Sequence, residues 1–380
     1  MGHKSPNATV LLTRPETDFC QLPPVKPFAY CYKCGKGLSK SKADTLFTCP
    51  NGHGSWHDSE KWAFCSSAWE AAAFEHVNLT TIHRQNDRVF IEILQKCRLG
   101  VPFTPQEEDL LLQHDSQTGN AVKLFSTRQE VGAVNREAFN RLRSPQRTYN
   151  SYDDFRCYNP NLESKGRRSD HDGTLDALRD HRFDPRIDLK QGMVVVLLVN
   201  LDQENGLVNG SQGVVMGFEA AEPSKMPEAI KKDDKDFSRM GSGPVLTGEH
   251  AEVREANIRS FMENAKEKVW PVVLFQNRVT RTIYADCRVT ELGDEAPYSL
   301  ISRTQIPLVA GWAMTVHKSQ GMTLNRVVVD LRRSFEEGQM YVALSRARSL
   351  DGLRVEGLGR QVGCNERVRR FLREALGVGG

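Results

Sequence analysis

Apolar positions along this chain change period several times, and each change marks a different kind of element. Arg88–Gly100 places Val89, Ile91, Leu94 and Leu99 on one side of a helix, with Gly100 as the stop signal. Glu60–His76 and Pro105–Gln113 read as further helices. Ala121–Phe125 reads as a strand and Arg128–Arg143 as a helix with Val131, Val134 and Ala138 on one side. That strand-then-helix step points to a parallel sheet. Asn159–Gln191 is polar and reads as loop. Met193–Asn200, Gly213–Phe218, Trp270–Phe275 and Thr282–Ala285 are short β-branched runs broken by Gly and Asn. Asn205-Gly206 and Asn209-Gly210 are turn dipeptides, since both residue types accept positive φ. These runs form a small β-barrel-like module, with a charged insertion at Glu219–Lys268. The tail returns to alternation. Leu308–Val316 reads as helix, Arg326–Leu331 as strand, Glu336–Arg346 as helix and Leu353–Glu356 as strand. Asn365 caps a last helix whose Val368, Phe371, Leu372 and Leu376 form an apolar stripe. The expected fold class is therefore α/β, interrupted by a β module and without internal repeats.

Composition narrows this picture only slightly. At 380 residues the chain exceeds the usual size of one domain. A net charge of +3 does not by itself announce a nucleic-acid binder, so any basic surface must come from clustering. Arg367, Arg369, Arg370 and Arg373 are one cluster, readable as a phosphate-facing surface or as a solvated helix face. The longest apolar run, Met193–Val199, is too short to span a bilayer, and Met1–Thr13 matches no secretory or presequence pattern. A soluble intracellular protein is expected. Trp312 and Phe275 are expected in the core rather than as stacking groups.

Nine cysteines are an odd number for a disulfide framework, and several cluster near residue 40. Cys31-x2-Cys34 and Cys49-x3-His53 are two short ligand pairs whose Gly35, Gly37, Pro50 and Gly52 supply tight turns. Such pairs close a tetrahedral structural zinc site, with His57 and Cys65 as alternative fourth ligands. The bland alternative is a set of free thiols in a loop. Zinc is favoured because the loop has little apolar content to fold it otherwise.

Two later segments carry phosphate chemistry. Thr315-Val-His-Lys-Ser-Gln-Gly-Met-Thr323 brings Lys, Ser and Gly together where backbone N–H groups and small hydroxyls approach a phosphate closely. Tyr341-Val-Ala-Leu-Ser-Arg-Ala347 sets Arg346 at the end of a helix, which suits neutralising charge in phosphoryl transfer. A polar loop and a surface salt bridge are the bland readings.

Together these segments resemble motifs V and VI of superfamily 1 helicases, and Gln305-Ile-Pro-Leu and Glu337-Gly-Gln-Met-Tyr341 resemble the PIF (petite integration frequency) branch. Asp18-Phe-Cys-Gln-Leu-Pro-Pro24 resembles motif III and Ile82-His-Arg-Gln85 motif IV. Leu207-Val-Asn-Gly-Ser-Gln-Gly-Val214 resembles the start of an SH3-like insertion within the second RecA-like domain. The resemblance runs from Asp18 to Gly357 and includes fungal-looking members with an insertion between motifs III and IV. It implies a RecA-like parallel-sheet helicase domain with an inserted SH3-like β module and a small zinc-binding loop. The implied partition is 1–28 as a remnant of the first RecA-like domain, 29–65 as zinc insertion, 66–188 as helical segment and start of the second RecA-like domain, 189–303 as SH3-like insertion, and 304–380 as the domain's second part.

The resemblance also implies roles. Gln21 would sense the γ-phosphate and couple it to the DNA track. Arg84 and Arg346 would meet the nucleotide, with Gly321 and Gln339 beside it. His317, Lys318 and Ser319 would contact DNA phosphates. The implied activity is ATP- and Mg2+-dependent 5′-to-3′ unwinding of DNA with a single-stranded tail, in repair, recombination and telomere or genome maintenance, in nucleus or mitochondrion. Two departures stand out. Thr17 replaces the glycine before the motif III aspartate. The phosphate-loop pattern Gly-x4-Gly-Lys-Ser/Thr is missing, because the Gly-Lys pair Gly35-Lys36 is followed by Gly37 and preceded by Tyr30 at the first glycine position. Nor does an apolar strand end in Asp-Glu: Val199-Asn-Leu-Asp202 is followed by Gln203, and Asp294-Glu295 follows no apolar strand. The first RecA-like domain is thus expected to be essentially absent and the isolated chain deficient in ATP hydrolysis. A zinc-containing single-stranded DNA-binding module is the alternative, and a chain supplying Arg346 to a partner that holds the loop is a third.

Overall fold

The computed structural model describes Asp18 to Gly377, apart from positions 25–27, 29–30, 32–33, 35, 42–44, 80, 117, 120, 172, 180, 231–243, 294–295 and 360–362. Met1–Thr13, Thr17, Tyr30, Gly35 and Asp294-Glu295 lie outside the described residues.

Four parallel strands form one sheet, in the order Ala313–Thr315, Val122–Phe125, Val327–Asp330 and Leu353–Gly357. They read as short apolar runs because both faces are covered, and Val122, Leu124, Val327 and Val329 are fully buried. The helix Arg128–Arg141 packs on this sheet, and its Asn135 side chain bonds both the N–H and the carbonyl of Ala313. Arg88–Leu99 begins at Asp87, whose carboxylate accepts from the Val89 and Phe90 amides, and ends at Gly100 in the left-handed region. Its buried stripe is Phe90, Ile93, Leu94 and Cys97, not the Val89, Ile91, Leu94 and Leu99 set. The larger Phe90 takes the core at i, i+3, i+4, i+7 spacing and turns Val89 to solvent. The C-terminal helix Glu366–Leu376 has the expected Asn365 cap and buries Val368 and Leu372.

Leu308–Val316 is not a helix. It is two strands, Leu308–Ala310 and Ala313–Thr315, in different sheets, and Gly311 lies where a Cβ would sit 3.0 Å from the Val195 backbone. Glu60–His76 shrinks to the helix Ser67–Ala72 with two short 3-10 turns before it, because Trp62 and Phe64 turn into an aromatic cluster. The polar stretch Asn159–Gln191 contains the strand Arg186–Leu189, and the charged insertion contains the helix Ala251–Asn264, which buries Ile258, Phe261 and Met262. Thr282–Ala285 is replaced by strands on either side of it, Thr280–Thr282 and Asp286–Leu292.

The β module is antiparallel. One sheet runs Thr280–Thr282, Val269–Phe275, Gln212–Ala220, Val194–Leu197, Leu308–Ala310. Another runs Asp286–Leu292, Ser299–Gln305, Tyr152–Arg156, so strands beyond 189–303 join on both sides. Ser299–Gln305 is buried along its whole length. Its Arg303, 1% exposed, makes a two-pronged pair with Asp153. Gln305 donates to the carbonyls of Tyr149 and Asp184 and fastens the strand end to the loop leading into Arg186–Leu189. Phe275 is buried and Trp312 packs against the main core. Among the described residues no helix is long and apolar enough to cross a membrane.

Candidate functional site

The segment Asp18–Pro24 reaches the parallel-sheet domain through a fixed set of contacts. Arg98 clasps the Asp18 carboxylate at 3.1 Å, and the Tyr341 hydroxyl donates to the same carboxylate at 3.1 Å. Gly338, at φ +73, sits where a Cβ would come 2.5 Å from the carbonyls of both Cys20 and Gln21. Only glycine fits this close approach with that backbone. The result presents Gln21 to Gln320, whose side-chain amide donates to the Gln21 oxygen at 3.2 Å. Gln21, Gln320 and Gly321 line a cleft of about 620 Å³ with Asp18, Leu22 and Trp62.

Two arginines converge near the same loop. Arg84 donates to the Thr323 hydroxyl at 3.1 Å and to the Ser345 carbonyl at 3.0 Å. Gln85 beside it is buried and donates to the Ser345 and Ala347 carbonyls. Arg346 is 1% exposed and donates to the carbonyls of Val342 and Met322 and to the Ser345 hydroxyl. Among the described residues neither guanidinium has a carboxylate in ion-pair contact. Burial, with the like charge of Arg84, brings Arg346 down to about 10. Burial likewise lowers Arg84. A desolvated cation pair without a carboxylate suits an anion supplied from outside.

The structure thus gathers Gln21, Arg84, Gly321 and Arg346 around one loop. Gln339 stands at the start of the helix Gln339–Leu344, fully buried, its side-chain oxygen accepting from the Phe335 amide and its Nε2 unpartnered. His317, Lys318 and Ser319 form a short helix with Val316, and each side chain has a partner inside the chain. His317 meets Glu336 at 2.8 Å, Lys318 meets Asp184 at 2.6 Å, and the buried Ser319 hydroxyl donates to the Val316 carbonyl. Gln85, Gln320 and Thr323 belong to the site as well, and their one signal in the sequence is that they lie within the motif strings. A second groove, of about 500 Å³, runs between motif loop and β module, lined by Arg182, Arg288, Asn209, Gly321 and Thr323. Burial and the nearby Arg288 lower Arg182.

Cys31, Cys34, Cys49 and His53 place their ligand atoms within 4.8 Å of one another. The Cys34 and Cys49 sulfurs are 3.6 Å apart, and His53 Nδ1 is 3.7 Å from both Cys31 and Cys49. Zinc bonds of about 2.3 Å to sulfur and 2.0 Å to nitrogen, set tetrahedrally, would separate ligand atoms by about 3.5–3.8 Å. Burial raises the Cys49 thiol, but the amides of His53 and Asn51 outweigh it and bring it to about 6. His57 is engaged by Thr45 and Ser59, and Cys65 lies 3.9 Å from Arg367, so neither joins this cluster.

Residues 184–218 match the family described as DNA helicase Pif1, 2B domain. The chain is 33% identical over 317 residues to the human protein named ATP-dependent DNA helicase PIF1, covering 82% of this chain and 40% of that one. To the Emericella nidulans protein of the same name it is 31% identical over 348 residues, covering 86% of this chain and 43% of the relative. The crystal structure of Pif1 helicase from Candida albicans aligns with TM-score 0.52 at 28% identity, over 82% of this chain and 64% of that one. Bacteroides sp Pif1 in complex with ADP-AlF4 aligns with TM-score 0.54 at 19% identity, over 87% of this chain and 64% of that one, a likeness of fold alone. The chain spans 40% and 43% of the two curated relatives.

Proposed function

We propose, from the premise that this chain is a homologue of the PIF1-type DNA helicases with a RecA-like helicase fold, that it is the part of such a motor that closes two arginines over the phosphates of ATP. One observation carries this reading: Arg84 and Arg346 are held by backbone carbonyls and hydroxyls of the loop Met322–Thr323 and of the helix Gln339–Leu344 with its C-cap Ser345, desolvated and without a carboxylate partner among the described residues. Fixed guanidinium groups stabilise the charge that spreads over a transferred phosphoryl group, and their rigid placement removes reorganisation from the reaction step. Gln21, held by Gly338 and Gln320, lines a cleft beside the loop Gln320–Thr323 that Arg84 and Arg346 also contact, and would link the nucleotide to that loop.

The sequence contains neither the phosphate-loop pattern nor an apolar strand ending in Asp-Glu. The pattern Gly-x4-Gly-Lys-Ser/Thr is nowhere in the 380 residues, and on this reading the phosphate loop is supplied by another domain or chain. The experiment is ATP hydrolysis by the purified chain alone, and again with a separately made first RecA-like domain that carries the loop. Turnover only in the mixture, stimulated by single-stranded DNA and lost with Arg346→Ala, supports the reading. Turnover by the chain alone at the same rate as the mixture sinks it.

The Arg182–Arg288 groove supports a DNA-binding role as well. Two like charges beside Gly321 and Thr323 match the backbone of a single strand. If the chain binds single strands but the mixture never hydrolyses ATP, the binding-module alternative is the better one. Zinc belongs to the same proposal: Cys31, Cys34, Cys49 and His53 would hold one ion with no open position, a structural role that fixes the loop ahead of Trp62. The expectations of DNA repair, recombination and telomere maintenance, and of nucleus or mitochondrion, are supported by kinship alone.

A further inference from the structure

We propose that Cys20 and Cys364 are a peroxide-reactive thiol pair that closes to a reversible disulfide, fastening the segment that carries Gln21 to the start of the C-terminal helix. The two sulfurs lie 3.7 Å apart although 344 positions separate them in sequence. Each is held in place by contacts that do not involve the other. Asp18, two residues before Cys20, is clasped by Arg98 and Tyr341, and the Cys20 carbonyl rests on Gly338. On the other side, Asn365 caps the helix Glu366–Leu376 and donates to both oxygens of Glu337. Gly100 presses so close to the Cys364 amide that a Cβ there would stand 2.6 Å from it. The pair is therefore brought together by the fold.

The surroundings divide the labour between the sulfurs. Cys364 is partly exposed, so a small oxidant can reach it, whereas Cys20 is 2% exposed and is not the first site of attack. Contact with Cys20 comes first, and with Arg369 and Arg98 it lowers Cys364 against the opposing effect of burial. The Cys364 contact and burial push Cys20 far up. In the first step the Cys364 thiolate attacks a hydroperoxide: a sulfur–oxygen bond forms, the oxygen–oxygen bond breaks, and the leaving alkoxide or hydroxide takes up a proton. Cys20 then gives up its proton and attacks the sulfenic sulfur. The sulfur–sulfur bond forms, the sulfur–oxygen bond breaks, and hydroxide leaves with the Cys20 proton as water. Two thiols and one hydroperoxide yield one disulfide, one alcohol or water, and one further water. The peroxide takes two electrons, and a dithiol reductant returns them.

The pairing does not depend on the helicase reading; only its effect on Gln21 does. The test uses the full zinc-loaded chain, because Cys34 and Cys49 are also 3.6 Å apart and a bound ion occupies their sulfurs. Protein is treated with hydrogen peroxide, blocked with iodoacetamide, digested without reduction and mapped by mass spectrometry. The expected result is a linked peptide joining Cys20 and Cys364, about 2 Da lighter than its two halves, abolished by dithiothreitol and absent from Cys364→Ser. Wild-type protein alone decides the matter if the variant fails to fold. A map in which Cys20 stays fully alkylated while Cys364 is alkylated or over-oxidised overturns the proposal.

Discussion

Replacing Arg346 by methionine isolates what a desolvated cation contributes. Burial brings its value well below the ordinary guanidinium range, to about 10, which weighs about 3 kcal/mol against the charged form in the fold. The folded value lies below the unfolded one, so the unfolded chain binds more protons between these values. The strain is therefore present at neutral pH and relieved as pH rises through about 10. Against it stand three hydrogen bonds, to Val342, Met322 and Ser345, worth about 1 kcal/mol each. The two sums nearly cancel. Arg346→Met should therefore move the thermal unfolding midpoint by no more than about 2 °C, taking about 1 °C per kcal/mol for a chain of this size. Arg303→Met is the matched control, since it strands the buried Asp153 carboxylate. That change should cost about 3–5 kcal/mol and lower the midpoint by about 3–5 °C. Pyrophosphate added to wild type should raise the midpoint, and to Arg346→Met should not. If Arg346→Met falls as far as Arg303→Met, the guanidinium is a structural member of the fold and the phosphate-facing role is wrong.

Four other outcomes follow from the geometry. Elemental analysis should find one zinc per chain, dropping below half in Cys49→Ser, and chelation should expose Cys31, Cys34 and Cys49 to alkylation. Lys318→Ala should weaken single-stranded DNA binding and flatten its dependence on log salt by about 0.7, as loss of one phosphate contact would; an unchanged slope would leave Lys318 to its pair with Asp184. Burial, then Arg303, lowers His181, so the unfolded chain binds the extra proton near its ordinary value. Stability should decline as pH falls through and below about 6.5, less so in His181→Gln, by urea unfolding at stepped pH. Gly338→Ala should push the Cys20–Gln21 backbone away, halving or worse the peroxide cross-link yield while the far-UV spectrum stays unchanged.

The parallel sheet was legible because its strands are short, apolar and followed by capped helices. Asn365 and Gly100 punctuate their helices as expected. Misreadings gathered where burial and polarity part company. Ser299–Gln305, for which the sequence suggested no element, carries Ser, Arg, Thr and Gln in a fully buried strand, and Asp153 and the Phe183 carbonyl, both from distant segments, make Arg303 tolerable there. No local pattern reports such a partner. Leu308–Val316 failed for the opposite reason: a continuous apolar run has no period, and Gly311, the one cue, marks a strand crossing against Val195. Ala251–Asn264 did carry a helical signal in Ile258, Phe261 and Met262, drowned by the charges around it. In the candidate site, Gln21, Arg84 and Arg346 are identifiable from motif strings. Their convergence rests on Gly338, Ser345 and Thr323, whose importance is a matter of close approach that only the fold reveals.

The order of strands in the parallel sheet also sets a timetable for synthesis. Val122–Phe125 sits between Ala313–Thr315 and Val327–Asp330, and both neighbours arrive only after the whole β module. At about 5–20 residues per second, the roughly 190 residues between Phe125 and Ala313 take about 10–40 s to emerge. During that interval the strand has both edges unpaired while the antiparallel module, rich in neighbouring strand pairs, is free to fold. A nascent chain stalled near residue 300 should therefore show protected amides in Val194–Leu197 and Gln212–Ala220 and rapid exchange in Val122–Phe125. The parallel sheet is therefore completed only after the antiparallel module that interrupts it in sequence.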